Sequence, residues 1–314
     1  MKALWQLPFF DALADAERIL VAGAGGGFDV YAGLPLALAL REAGRTVHLG
    51  SLSLVNVYAL DRVDGVAAVT PETPPMGDYF PERTLARWLA RHRQPSTVYA
   101  FPRTGVRPLR AAYRRLAKRL NLDAIVLVDG GTDILLRGDE AALGTPAEDA
   151  TSLAAVAGTP VATRLVAAIG FGVDAYHGVN HVQVLENLAA LDRAGAYLGA
   201  FSVPSRGRVA ALYRDAVAHA EAETPGRASI VNGQVAAALT GAAGDVAIAG
   251  RTMREPLFVN PLMAMYFTVD LMGLAAASLY LDRIRATDDF LAVAHLIDRF
   301  RDGIVPRPRV PFPH

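Results

Sequence analysis

Six carboxylates fall within 21 residues of the segment VDGGTDILLRGDEAALGTPAEDA, namely Asp129, Asp133, Asp139, Glu140, Glu148 and Asp149. Asp129 ends an apolar run typical of a buried strand, and Gly130, Gly131 and Thr132 follow it directly. Hard divalent cations prefer carboxylate oxygens, so we expect Mg²⁺ or Mn²⁺ to be held by Asp129, Asp133 and Glu148. Alternatively, the acids hold substrate hydroxyl groups beside Gly130, Gly131 and Thr132 without a metal, or cap the helix expected near residue 151.

A glycine-rich turn, GAGGGFD, lies between a predicted strand at residues 19–23 and a predicted helix at residues 28–43. Such a turn lets the backbone approach a ligand, and the helix N-terminus offers N–H groups to an anion. The expected ligand-binding residues are Gly23, Gly25, Gly26, Gly27 and Asp29. Phe28 interrupts the dinucleotide pattern G-x-G-x-x-G, and no acidic residue ends the second strand. NAD or nucleotide binding is therefore an alternative, as is a plain turn with Asp29 as a helix cap.

A third motif, GFGVDAYHGVNH, contains Asp174, His177 and His181. The loop follows a predicted strand, so we expect Asp174 and His177 to act with Asp129 in catalysis, one of them as general base. Four-residue spacing would place His177 and His181 on one face of a helix, but Gly178 argues against a helix there. Both histidines are equally well explained as ordinary structural residues.

Two arginines, Arg103 and Arg206, follow predicted strand ends and are expected to bind an anionic group of the substrate. The alternative is an ordinary salt bridge for each. The basic row from Arg107 to Lys118 has helical spacing opposite apolar residues, which indicates a solvated helix face.

Seven short apolar strands alternate with segments of helical period, which predicts an α/β fold with a doubly wound, mainly parallel, Rossmann-like sheet. The strands are expected at residues 19–23, 46–49, 66–69, 97–101, 124–128, 163–169 and 196–203. We expect one domain over residues 1–314, with a sheet-forming core at 1–226 and a mainly helical part at 227–314. The apolar stretch 259–281 is expected to be one buried helix, because Pro261 and Asp270 disfavour a membrane span; it could also bury a homo-oligomer interface.

The chain has 314 residues, 31 basic and 31 acidic side chains, and no cysteine. Zero net charge argues against nucleic-acid or membrane-surface partners. The absence of cysteine excludes disulfides and thiolate ligands, and no secretory signal is visible, so we expect a cytoplasmic protein.

The motifs GAGGGFDVYAGLPLA and DGGTDILLRGDEAALGTPAEDA resemble the uncharacterised bacterial family called domain of unknown function 1152, over nearly the whole chain. The resemblance implies no particular reaction or catalytic residues. From the residues themselves we expect a cytosolic enzyme that uses a divalent metal for hydrolysis or lyase chemistry on a small anionic, phosphate- or carboxylate-bearing metabolite. The alternatives are a metal-free nucleotide or dinucleotide enzyme and a non-catalytic metabolite-binding protein.

Overall fold

The computed structural model describes residues 6–247 and 257–312. Its strands are β1 Arg18–Gly23, β2 Thr46–Ser53, β3 Arg62–Val63, β4 Val66–Val69, β5 Val98–Pro102, β6 Ala124–Gly130, β7 Thr163–Ile169, β8 Tyr197–Ser202, β9 Gly244–Val246, β10 Leu257–Val259 and β11 Met265–Asp270. The α-helices are α1 Pro8–Ala12, α2 Asp29–Ala32, α3 Leu34–Glu42, α4 Pro81–Arg91, α5 Val106–Leu120, α6 Pro146–Ala157, α7 His181–Arg193, α8 Arg208–Glu223, α9 Ile230–Ala238, α10 Leu271–Ala277, α11 Leu281–Ile284 and α12 Phe290–Asp302. Short 3-10 helices span Val57–Ala59, Asp133–Leu135, Val173–His177 and Pro261–Ala264.

Within the described residues, nine strands form one sheet in the order β3-β4-β5-β2-β1-β6-β7-β11-β8. The five strands from β5 to β7 are mutually parallel, whereas β3, β4 and β11 are each antiparallel to a neighbour and β8 is antiparallel to β11. All seven expected strands are present. The fold is therefore α/β with a large, mostly parallel sheet, but the sheet is larger and more mixed than the sequence indicated.

Helices cover both faces of this sheet. Successive residues of β1 alternate between the faces, so Leu20 packs with α5, α6, α7 and α10 to α12, while Ile19 and Val21 pack with α1 to α4, α8 and α9. A strand buried on both faces must be apolar throughout. This requirement explains why β1 and β6 appear in the sequence as continuous apolar runs.

The expectation of a single helix over residues 259–281 was wrong. The segment contains the end of β10, a 3-10 helix, the strand β11 and the helix α10. Met265–Asp270 is rich in aromatic and β-branched residues, which favour a strand, and the Asp270 side chain accepts the Gly273 N–H at 2.7 Å as the cap that begins α10. The sheet-forming core therefore extends beyond residue 226, and β11 occupies an interior position in the sheet.

The connections on either side of β1 and β6 run in opposite directions. From β1 the chain passes to β2 on one side, and from β6 it passes to β7 on the other. Because β1 and β6 are adjacent and parallel, the loops that leave them diverge from a common crevice at the sheet edge. None of the described helices is both long and apolar enough to cross a bilayer.

Candidate functional site

Three aspartates meet at the crevice between β1 and β6. Asp29 begins α2 directly after β1, Asp129 lies near the end of β6, and Asp149 is in the first turn of α6. One carboxylate oxygen from each residue lies within 4.8 Å of the other two. We call these three residues the acidic triad. Oxygen atoms at this spacing can ligate one divalent cation together.

The acidic triad differs from the metal ligands expected from the sequence, which were Asp129, Asp133 and Glu148. Asp133 is buried nearby, where its Oδ2 accepts hydrogen bonds from the Thr145 N–H at 2.8 Å and the Thr145 hydroxyl at 3.2 Å. Glu148 instead pairs with Arg103 at 3.4 Å. Asp133 and Glu148 therefore lie beside the acidic triad, each with a partner of its own.

Asp149 was not among the metal ligands expected from the sequence, although it is one of the six clustered carboxylates. In α6 every residue from Asp149 to Val156 is buried. Glu148, one residue earlier, is partly exposed, with 19% of its side chain accessible, and it pairs with Arg103. The buried part of α6 therefore begins at Asp149, which joins the acidic triad, while Glu148 lies outside it.

The glycines of both motifs make room for these carboxylates. A Cβ atom on Gly25 would lie 2.7 Å from Asp29 Oδ2 and 3.1 Å from Asp149 Oδ1, and one on Gly131 would lie 2.8 Å from both oxygens of Asp174. Gly130 faces Asp29 Oδ1 at 3.1 Å in the same way. The two glycine motifs thus allow acidic side chains to crowd together at the sheet edge.

Backbone N–H groups of the glycine turn donate hydrogen bonds to other groups of the chain. Asp29 Oδ2 accepts the Gly25 N–H at 2.6 Å, and the N–H groups of Ala24 and Gly27 donate to the carbonyls of Val128 and Leu52. Gly26 and Gly27 have positive φ angles of 88° and 58°, which permit this path. A carboxylate of the protein therefore occupies the place where the sequence suggested an external anion.

Burial and mutual repulsion raise the pKa of every triad residue. The pKa of Asp29 rises from 3.8 to about 7, chiefly through burial, with Asp133 and Glu148 adding repulsion. The pKa values of Asp129 and Asp149 lie well above the ordinary value because of burial and then neighbouring aspartates. Burial also raises the pKa of Asp174 strongly. Without a cation, burial and repulsion therefore favour the protonated form of these carboxyl groups.

One buried oxygen of the acidic triad has no hydrogen-bond partner among the described residues. Asp129 Oδ2 accepts the Ile134 N–H at 3.3 Å, whereas Asp149 Oδ1 is buried and has no hydrogen-bond partner within the part of the chain that the structure describes. A buried polar atom without a partner costs about 1–3 kcal/mol. The unsatisfied oxygen lies where an additional ligand would be stabilised.

A cavity of about 720 Å³ opens beside the acidic triad, and we call it the acidic cavity. Asp29, Asp174 and His177 line it. Asp174 is buried, and its Oδ2 accepts a hydrogen bond from the Thr132 N–H at 2.6 Å. The Thr132 N–H is therefore already bonded within the protein. His177 is exposed. Burial raises the pKa of Asp133, which lies nearby.

The two histidines do not form a pair on one helix. Gly178 has a φ of 84° and separates the 3-10 helix that ends at His177 from α7, which begins at His181. The His181 ring packs against Phe171 at 5.4 Å. Only His177 of the two lines the acidic cavity.

The two expected anion-binding arginines lie in different places. Arg103 follows β5 and lies over the Phe290 ring at 4.7 Å while pairing with Glu148. Arg206 is exposed in the loop between β8 and α8 and does not line the acidic cavity. Arg103 therefore lies beside Glu148, next to the acidic triad. Arg206 lies outside the acidic cavity.

The C-terminal tail, residues 303–312, supports the loops around the site. Arg307 contacts Asp139 at 3.0 Å, the fully buried Glu140 at 3.1 Å and Glu186 at 2.5 Å. Arg309 Nη2 donates to the Gly178 carbonyl at 2.6 Å, next to His177. These contacts attach the tail to the segments that carry the acidic residues and His177.

The fold and site together define an α/β protein with a carboxylate-lined cleft at the carboxyl edge of a mostly parallel sheet. Comparison with protein families matches residues 20–301 to the family described as protein of unknown function DUF1152. The chain belongs to this family, as its two glycine motifs indicated. No curated protein matches the chain.

Proposed function

We propose that this protein is an enzyme that uses a divalent cation, Mg²⁺ or Mn²⁺, to carry out hydrolysis or elimination on a small anionic metabolite. The observation that carries the proposal is the acidic triad, in which Asp149 Oδ1 is buried without a partner beside Asp29 and Asp129. Three crowded carboxylates are costly to bury unless a cation neutralises them. A hard cation with oxygen ligands fits this donor set.

The position of the acidic triad, in the crevice between β1 and β6, supports a ligand site there. In doubly wound, Rossmann-like proteins, ligands bind where neighbouring connections diverge at the carboxyl edge of the sheet. β1 and β6 have this relation here. The acidic cavity that opens at the crevice has a volume within the range of small-molecule sites.

Each residue then has a role that its position permits. Asp29, Asp129 and Asp149 hold the cation, which supplies charge neutralisation and Lewis acidity when bound. Asp174, held by the Thr132 N–H, orients a substrate hydroxyl or water. His177, exposed on the cavity wall, takes the proton that an attacking water loses or that elimination removes from carbon.

The metal-free nucleotide alternative has less support. A phosphate at the glycine turn requires free N–H groups, but the Gly25 N–H is bonded to Asp29. The same carboxylate would repel a phosphate placed there unless a cation intervened. For the same reason, NAD is a weaker candidate than a divalent metal.

Calorimetric titration of the chelator-treated protein with MnCl₂ and MgCl₂ tests the proposal. We expect binding in the micromolar to millimolar range, and loss of binding in Asp149→Asn. Glu148→Gln is the matched control, because Glu148 precedes Asp149 but pairs with Arg103 outside the acidic triad. No heat of binding at millimolar metal, or equal losses in both variants, would overturn the assignment of the metal to the acidic triad.

A further inference from the structure

The acidic cavity has opposite charges on different walls. Asp29 and Asp174 lie on the side of the acidic triad, and Arg227 contributes a cationic residue from the loop between α8 and α9. Arg227 is exposed and makes no ion pair with any residue in the described ranges. His177, from the loop after β7, lines the same cavity. An unpaired guanidinium at a cavity wall is suited to a phosphate or carboxylate group.

Much of the remaining wall is apolar and open to solvent. Tyr176 and Leu54, which both line the cavity, are 64% and 44% exposed. Ile230 and Val231, at the start of α9, face the same space. Phe28 and Tyr79 also line it and pack edge to face at 5.5 Å. These side chains offer a hydrophobic surface larger than a simple oxyanion or a short polar metabolite would cover.

From this arrangement we infer the substrate class: an organic anion with an apolar, ring-containing body. Its anionic group contacts Arg227, its ring packs on Tyr176 and Leu54, and its reactive group points toward the acidic triad. The inference rests on the proposed function, because the proposed metal site at the acidic triad determines which end of the substrate points toward the triad. It assigns Arg227 and Tyr176, neither of which stands out in the sequence, as residues that determine specificity.

Two phosphonates that cannot be hydrolysed at phosphorus test the inference. Phenylphosphonate and methylphosphonate carry the same anionic group and differ in the ring, and inorganic phosphate completes the series. Each is titrated calorimetrically into the Mg²⁺-saturated protein and into the metal-free protein. We expect phenylphosphonate to bind the Mg²⁺-saturated protein about tenfold more tightly than methylphosphonate, as expected for partial burial of a ring.

Three variants test which residues of the acidic cavity cause this preference for phenylphosphonate. Arg227→Gln should weaken both phosphonates about tenfold, and Tyr176→Ala should weaken only phenylphosphonate. Arg206→Gln is the matched control, because Arg206 is exposed on a loop outside the acidic cavity. Equal affinities for the two phosphonates, or an Arg227→Gln protein that binds as the wild type does, would overturn the inference.

The titration with Mg²⁺ alone separates this inference from the proposed function. If Mg²⁺ fails to bind but the metal-free protein still prefers phenylphosphonate through Arg227 and Tyr176, the metal proposal fails and the ligand class is supported. If Mg²⁺ binds and the phosphonate preference is absent, the metal proposal is supported and the ligand class is refuted.

Discussion

Asp29→Asn should stabilise the metal-free protein at alkaline pH. The pKa of Asp29 is raised from 3.8 to about 7 by burial and by neighbouring carboxylates. A raised folded-state pKa means that stability is fully present below the unfolded pKa near 4 and is lost as the pH rises toward 7. With about 1.4 kcal/mol per pKa unit, ionising Asp29 in the folded protein costs on the order of 4 kcal/mol by pH 8.

Asparagine removes this cost, but its amide nitrogen cannot accept one of the two backbone hydrogen bonds, from Gly25 and Gly130, that Asp29 receives, a loss of about 1–2 kcal/mol at every pH. The net gain at pH 8 is therefore roughly 2–3 kcal/mol. Unfolding entropy of about 2.1 cal/mol/K per residue, over 314 residues, converts this gain into a Tm increase of roughly 3–5 °C. Near pH 5 the two proteins should have about the same Tm, and below pH 4 the variant should be the less stable protein.

Differential scanning fluorimetry from pH 4 to pH 8.5, in chelator-treated buffer, measures this crossover. Comparison with wild type at each pH removes the contribution that both proteins share from Glu82, another buried acid whose pKa is raised to about 7 by burial. Asp123→Asn is the sign control, because hydrogen bonds from the Arg18 backbone lower the pKa of Asp123. That variant should lose stability at pH 8. An Asp29→Asn protein whose Tm stays below wild type at every pH would refute the reasoning.

Three further results are expected. Asp129→Asn should keep the fold, as judged by circular dichroism, yet abolish the Tm increase that Mn²⁺ produces in wild type, where Mn²⁺ at one hundred times its Kd adds about 2.7 kcal/mol to the free energy of unfolding. A retained Tm increase would exclude Asp129 as a ligand. Gly131→Ala should displace Asp174, whose oxygens would lie 2.8 Å from the new Cβ, and lower stability by about 1–3 kcal/mol in urea denaturation. Arg307→Met should cost about 2–4 kcal/mol by leaving buried Glu140 without its ion-pair partner, whereas an unchanged urea midpoint would show that the tail is dispensable.

The seven strands foreseen from the sequence were located to within a few residues because each is a short apolar run between turn signals. Met265–Asp270 was missed because it lies in a longer apolar stretch, where hydrophobicity alone does not distinguish a strand from a buried helix. Its aromatic and β-branched composition was the available signal. Arg62–Val63 is too short to produce a recognisable pattern.

Part of the candidate site also followed from the sequence. Asp29 and Asp129 could be expected to meet because they follow parallel strands that end at one sheet edge. The preference of the triad for Asp149 over Glu148 could not be predicted, because both residues have buried positions three and four residues later in α6. Arg227 could not be found, because it lies between two helices with no strand end or motif to place it at the cavity.

The insertion of β11 between β7 and β8 affects the order in which the chain can complete its fold during synthesis. β8 leaves the ribosome well before β11, yet in the described sheet β11 is its only strand neighbour. Until residue 270 has emerged, β7 and β8 each present an open edge that another nascent chain could pair with. Fragments that end before β11 should therefore aggregate or require a chaperone. Residues 265–270 are thus the segment whose synthesis closes the sheet.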